Sequence, residues 1–320
     1  MPSAASSARF LLVGAGAVGQ VYGAHLAAAG HRVGYLVKPA HARATRAGFR
    51  MLPTRGEPWS FTPEIVLEDP VEATRERWDQ VWLCVSSPAL RGPWLPQLIS
   101  AAGSAVFATL QPPLPGAEDA LAALPPERLI HGIIALVAWS APLPGQTGEH
   151  GLGYWFPPLV RTQLSGPAEP VALAVEALRS GGCPCDASDD VSGEASVGGA
   201  LLLSTMAALE ASGWSFQRWR KDPAGALGIG AAREALALAA ATQGLRTWPL
   251  RLILRRPLLR LLSRLAPVVA PMPLETYLRV HFTKVGDQTR EVLAGWVRQG
   301  EAAGLSVEAT RALLARLPPT

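Results

Sequence analysis

Apolar residues in the first half of the chain fall in short runs separated by stretches of helical periodicity. Residues 10–13 read as a strand, 17–29 as a helix and 32–37 as a second strand. Further strand-like runs lie at 81–85, 105–110 and 129–137. Strands alternating with helices predict a parallel sheet with helices on both faces, because a parallel connection needs a crossover long enough to hold a helix. After Trp139 the pattern breaks into pieces punctuated by Gly and Pro, which predicts a small antiparallel addition. From Asp190 onward only helical periodicity remains. It predicts helices at 193–211 and 223–242, an Arg-rich pair over 248–271, then 273–303 with a break near Gly286, and 307–317. Asp222 before Pro223 is a favourable N-cap and first-turn pair. The expected fold class is therefore α/β, a doubly wound sheet domain over residues 1–189 followed by an all-α domain over 190–320. The crevice between two such domains is the expected binding site.

Composition narrows the setting. With 320 residues, 49% of them apolar and 17% charged, the chain has enough apolar material for two packed cores. The net charge is +4, carried almost wholly by Arg: Lys occurs only at Lys38, Lys221 and Lys284, and Asn is absent. Cys84, Cys183 and Cys185 do not make a disulfide framework, and their spacing matches no metal site, so no metal is expected. The N-terminal stretch MPSAASSARF lacks the apolar core of a signal peptide, which predicts a cytoplasmic protein. Nucleic acid is not an expected partner, since the charge comes without surface aromatics or a known motif. There is no G-x-S-x-G, no HExxH and no Cys with an evident His partner, so hydrolase chemistry has nothing to stand on.

Residues 248–271, WPLRLILRRPLLRLLSRLAPVVAP, are apolar but carry Arg251, Arg255, Arg256, Arg260 and Arg264. Five arginines exclude a membrane-spanning helix. Spacings of four align Arg251 with Arg255, and Arg256 with Arg260 and Arg264, while Pro257 starts a second short helix. An amphipathic pair of this kind covers a core or a subunit contact in a homodimer, lies on an anionic membrane, or lines the entrance for an anionic small-molecule substrate. The sequence leaves these open.

The densest chemistry is in LLVGAGAVGQ, where Gly14, Gly16 and Gly19 have G-x-G-x-x-G spacing. An apolar strand runs into the motif, a helix opens from it and another strand follows, the context of a Rossmann dinucleotide-binding turn. Gly14 allows the tight turn, Gly16 lets the backbone approach a pyrophosphate, and Gly19 lets helix pack on strand. The N-terminal residues Ala17 and Val18, with Gly16 and Gly19, would present free N–H groups and positive partial charge to the phosphates. Where an NAD site has an acid to accept from the ribose 2′-hydroxyl, this chain reads YLVKPAHAR. Lys38 there, with His41 and Arg43 nearby, favours NADP, because a cation attracts a 2′-phosphate and gains nothing from a hydroxyl. Ser86 and Gln111, in the loops after two later strands, are further candidate cofactor contacts.

The chain resembles the ketopantoate reductases, the NADPH-dependent 2-dehydropantoate 2-reductases. The likeness lies in residues 11–51, in VWLCVSSPAL, in ERLIHGIIALVAWSAPLPG and in ALRSGGCPCDASDDVSGEA, and it returns in VLAGWVRQGEAAGLSVEATRALLARL. It covers most of the chain, with residues 248–277 as an enlarged connection. The resemblance implies a Rossmann domain plus a helical domain, NADPH on the first, and reduction of a 2-oxo acid. The reaction motifs depart from the family. Ser86 stands where the resemblance implies a Lys, and Pro112 where it implies an Asn in TLQPPLPG. The catalytic Lys and following Asn residues implied for EASVGGALLLSTMAAL are missing, and an implied late-helix Glu falls on Gln288. Hydride delivery to a ketone builds alkoxide charge that a cation or donor must neutralise and protonate. Either the chemistry moved, the substrate changed or catalysis was lost.

HFTKVGDQTR, residues 281–290, is the place to look for a replacement. Leu278, Phe282, Val285, Val292 and Trp296 form its apolar stripe, with His281, Lys284 and Gln288 along one edge and Tyr277 one turn before. Lys284 or His281 is the candidate general acid and Gln288 the candidate for orienting substrate, while Asp287 and Arg290 are expected to be solvated. The expected activity is reduction of a carbonyl or imine other than ketopantoate; the alternative is a catalytically inactive NADP-binding protein acting as a regulator or scaffold.

Overall fold

The computed structural model describes residues 7–111, 117–248, 250, 254–284 and 286–318; Pro112, Arg251 and Val285 lie outside them. The chain divides into two compact units, Met1–Val191 and Ser192–Thr320.

The first unit opens with β1 (Arg9–Val13), α1 (Ala17–Ala28), β2 (Arg32–Leu36) and α2 (Pro39–Arg46). It continues through β3 (Phe49–Pro53), β4 (Trp59–Phe61), β5 (Ile65–Leu67), β6 (Gln80–Leu83), α3 (Trp94–Ala101), β7 (Val106–Thr109) and α4 (Ala117–Leu121). The strands β8 (Leu129–Ile133), β9 (Val137–Ala141), β10 (Gly151–Trp155) and β11 (Thr162–Ser165), then α5 (Ala168–Ser180) and β12 (Cys185–Ala187), complete it. Among the described residues these strands make two sheets, one of eight in the order β12-β11-β8-β7-β6-β1-β2-β5 and one of four in the order β4-β3-β10-β9. The large sheet is parallel except where β8 meets β11.

The single strand expected at 129–137 is in fact two. Residues 129–133 join the large sheet, while Val137 begins β9 of the small one, and the chain changes sheet between them. The small sheet is also not purely antiparallel, since β10 lies parallel to β3. It gives α1 a second apolar partner. Tyr22 and Leu26 pack into the core of the large sheet, whereas Val21 and Ala24 pack with Met51, Ala138, Leu152 and Tyr154 of the small one. A helix covered on both sides needs apolar residues all round, which is what AVGQVYGAHLAA supplies.

His25 on this helix is buried. Its Nδ1–H donates to the Gly181 carbonyl at 2.6 Å, and its ring meets the edges of Trp59, Tyr154 and Phe156. Nε2 is buried without a partner. Burial lowers the ring's pKa, and the Gly181 bond only partly opposes that.

The second unit is helical. It contains α6 (Val191–Ala211, its first residue closing the sheet unit), α7 (Phe216–Trp219), α8 (Pro223–Gln243), α9 (Arg256–Val269), α10 (Leu274–Lys284), α11 (Gly286–Ala302) and α12 (Glu308–Leu314). Asp222 caps α8 by accepting from the Ala224 N–H at 2.7 Å. By length and composition α8 is apolar enough to cross a membrane, but 56% of its most apolar window is buried in the protein, which marks it as a core helix. Glu234 on α8 accepts from the backbone N–H groups of Ala309 and Thr310 and from the hydroxyls of Ser306 and Thr310, at 2.7–3.1 Å. It thereby caps α12, which has no side-chain cap of its own.

The apolar stripe expected across α10 and α11 is buried at Leu278, Phe282 and Val292. The expectation for Arg290 fails. Its guanidinium pairs with Glu210 at 2.8 Å, with both side chains largely buried (18% and 11% exposed), and also donates to the carbonyls of Gly286 and Pro318. The signal was ambiguous because the partners are far away in sequence. Asp287 is exposed as expected.

Two stability outcomes follow. Arg290→Ala leaves Glu210 buried without its cation and should cost about 3 kcal/mol in urea denaturation, with Asp287→Ala as a near-neutral control. The folded state keeps His25 neutral while the unfolded ring protonates around pH 6.5. His25 should therefore stabilise fully above that pH and progressively less below it, and His25→Phe should flatten the fall in melting temperature between pH 7.5 and 5.5.

Candidate functional site

A cavity of about 780 Å³ opens in the sheet unit. It is lined from the ends of neighbouring parallel strands: Val13 to Gly16 after β1, Leu36 to Pro39 at and after β2, Glu68 after β5, and Cys84 to Ser86 after β6. β1 lies between β2 and β6, so the connections leave it in opposite directions and a crevice opens at the carboxyl ends of the strands.

The glycines behave as their spacing predicts. Gly14 has φ +96°, and a Cβ there would come within 2.9 Å of Val85 and 3.0 Å of the Cys84 carbonyl. A Cβ on Gly19 would lie 2.2 Å from the Gly14 carbonyl oxygen. That contact draws α1 against the turn, and the buried Tyr35 hydroxyl holds it there by donating to the Gly19 carbonyl at 2.8 Å. Gly16, by contrast, faces open space.

Gly16 is the N-cap of α1; no side chain caps it and its first turn holds no acid. The first intrahelical bond runs from Gln20 N–H to the Gly16 carbonyl at 2.9 Å. The N–H groups of Ala17, Val18 and Gly19 therefore precede it, at the positive end of the helix. This donor set fits a pyrophosphate.

Lys38, the N-cap residue of α2, is exposed and lines the cavity with His41 of the first turn. Sequence reading missed one acid there. Glu68 follows β5, a strand of three residues whose run IVL is too short to stand out. Its carboxylate is engaged by Arg46 at 2.6 Å, which offsets its charge. Ser86 lines the cavity as expected, but Gln111 does not. The Gln111 amide donates to the carbonyls of Leu83 and Val85, and its oxygen accepts from the Thr109 hydroxyl and the Leu110 N–H. Gln111 thus clips β6 to β7. Burial pushes the Cys84 thiol up, which disfavours its thiolate form.

His281 and Lys284 lie in the last turn of α10 and Gln288 on α11, all in the helical unit. Gln288 is half-buried, whereas Lys284 and His281 are exposed. The His281 ring still stacks on Tyr277 at 5.4 Å and meets the edge of Phe282. Desolvation by that packing, then the Lys284 charge, lowers its pKa, while burial raises Tyr277 to about 12. Among the described residues no cluster of His, Cys, Asp or Glu could hold a metal.

These features define a Rossmann-type domain of the kind oxidoreductases use. Residues 10–140 match the family model described as ketopantoate reductase PanE/ApbA, and the chain has the ketopantoate reductase fold. The crystal structure of a PanE/ApbA family ketopantoate reductase from Ralstonia eutropha JMP134 superposes with a TM-score of 0.71 at 20% identity, covering 96% of each chain. The 2-dehydropantoate 2-reductase of Methylococcus capsulatus gives 0.66 at 17% identity, covering 96% of this chain and 94% of its own. D-mandelate dehydrogenase, in a ternary structure with NADH and anilino(oxo)acetate, gives 0.72 at 15% identity over 96% of each chain. No curated protein matches the sequence.

The helix contact at Gly19 is directly testable. Gly19→Ala forces a methyl onto the Gly14 carbonyl and should destabilise the protein by about 1–3 kcal/mol in chemical denaturation. Gly16→Ala, which meets only open space, should leave the fold intact.

Proposed function

We propose that the chain is an NADP(H)-dependent oxidoreductase that reduces a carbonyl or imine substrate other than ketopantoate. The observation that carries this reading is the uncapped, acid-free N-terminus of α1 in a cavity that also contains Lys38. The backbone N–H groups of Ala17, Val18 and Gly19 would hold the pyrophosphate, and the Lys38 ammonium would hold a 2′-phosphate. With Glu68 engaged by Arg46, the cavity offers little to favour a bare ribose hydroxyl. The bound dinucleotide supplies a hydride.

The chain itself must meet the charge that develops on the substrate oxygen. Ser86 can donate one neutral hydrogen bond and no charge. Lys284 and His281 remain the candidate proton donors, and the lowered pKa of His281 leaves less of its imidazolium form at neutral pH. A substrate different from ketopantoate is supported by the missing Lys and Asn of the family's pattern.

A second reading, a non-catalytic NADP-binding protein, draws on that same departure: Asn is absent, and no Lys lies between Lys38 and Lys221. Because the mandelate dehydrogenase neighbour holds NADH, both nicotinamide dinucleotides belong in the test. Fluorescence titration should give tighter binding of NADPH than NADH. Lys38→Ala should weaken NADPH about 10- to 100-fold while changing NADH less than threefold. Absorbance should then follow NADPH oxidation with 2-oxo acids, aldehydes and imines. Turnover that disappears in Lys284→Ala or His281→Ala with NADPH binding retained supports the enzyme; tight NADPH binding without turnover supports the second reading.

A further inference from the structure

Helix α9 is strongly amphipathic, yet it turns its apolar face outward. Leu258, Leu261, Leu262, Leu265, Val268 and Val269 share one face of the helix, since each lies three or four residues from another of the set, and each is between 38% and 81% exposed. The buried side is narrow and includes Ser263, which takes hydrogen bonds from Arg220 on its hydroxyl and carbonyl oxygens. Arg264 borders the apolar face, and Arg260 and Arg256, at intervals of four before it, step from that edge round towards the opposite side of the helix, all exposed. Arg260 spends one N–H on the Arg220 carbonyl.

The surrounding sequence has a single sign of charge. Between Glu234 and Glu275 there are six arginines and no acid. Trp248, at the head of this stretch, is 64% exposed. An exposed leucine face about 21 Å long, backed by a polar side that carries arginines and accompanied by an exposed tryptophan, has the chemistry of a helix that lies in the headgroup layer of a bilayer.

We infer that α9 docks this protein on an anionic lipid surface, with its leucines and valines among the acyl chains and its arginines against lipid phosphates. A second copy seated on the same face is less favoured by the charges, because a two-fold contact would bring arginine-bearing helices together with no acid in the segment to answer them. A membrane of negative charge supplies the missing counter-charge, worth about fivefold in binding for each arginine near the surface.

Co-sedimentation of the full chain with vesicles tests this. Binding is expected to vesicles of phosphatidylcholine with about one-third phosphatidylglycerol, and not to phosphatidylcholine alone; raising salt from 50 to 500 mM should release the protein. That arm needs no variant. The triple change Arg256→Gln, Arg260→Gln, Arg264→Gln should lower binding about 100-fold, and Leu261→Ser with Leu265→Ser should abolish it, each with an unchanged melting temperature. The inference is overturned if anionic vesicles fail to bring the protein down at low salt, or if binding survives both variants. It is equally overturned if sedimentation velocity shows a dimer that Leu261→Ser with Leu265→Ser converts to monomer, for then a second copy covers the face.

Discussion

The sheet unit depends on one steric contact, the approach of α1 to the turn that precedes it. Gly19 lies against the Gly14 carbonyl, and Gly23 lies so near Tyr35 that a Cβ would reach 2.0 Å from its hydroxyl. Any side chain at either position would lift the helix from the strands. The Tyr35 hydroxyl closes the arrangement by donating to Gly19. Because the helix is held by its flank, its N-terminus needs no capping side chain, and the polar N–H groups stay directed at the cavity. Packing, hydrogen bonding and ligand chemistry thus meet in a few residues.

Much of this was legible in the sequence. The alternation over residues 10–37 became β1, α1 and β2 within a residue at each end, because apolar runs, turn glycines and helix periodicity all agree there. Of the small sheet only the antiparallel addition after Trp139 was legible, as β9 and β10, and its pairing with β3 and β4 was not. Its strands come from residues 49–61 and 137–155, and pairing over such a separation leaves no local signal. The run at 129–137 looked continuous because its mostly apolar residues pass without a turn signal, although Ile133 ends a strand of one sheet and Val137 begins a strand of the other.

Site residues divide along the same line. Gly14, Gly16, Lys38 and Ser86 meet around the cavity because each lies within three residues past the end of a parallel strand, a position that sequence reading locates well. Gln111 also follows a strand, but an amide that can both donate and accept found four partners in its own loop and in the end of β6. Glu68 escaped notice because its strand is so short. In the helical unit, Arg290 looked like a surface charge by helical spacing and is instead, like Glu234, a tie between distant elements.

The placement of α1 between two sheets has a consequence for the order in which the protein can be made. The helix ends at Ala28, but its second cover includes Leu152 and Tyr154, more than a hundred residues later. During synthesis Val21 and Ala24 stay incompletely covered until β10 has left the ribosome. The nascent sheet unit therefore passes through an interval with a sticky flank, in which chaperone engagement or mispairing with another nascent chain competes with closure.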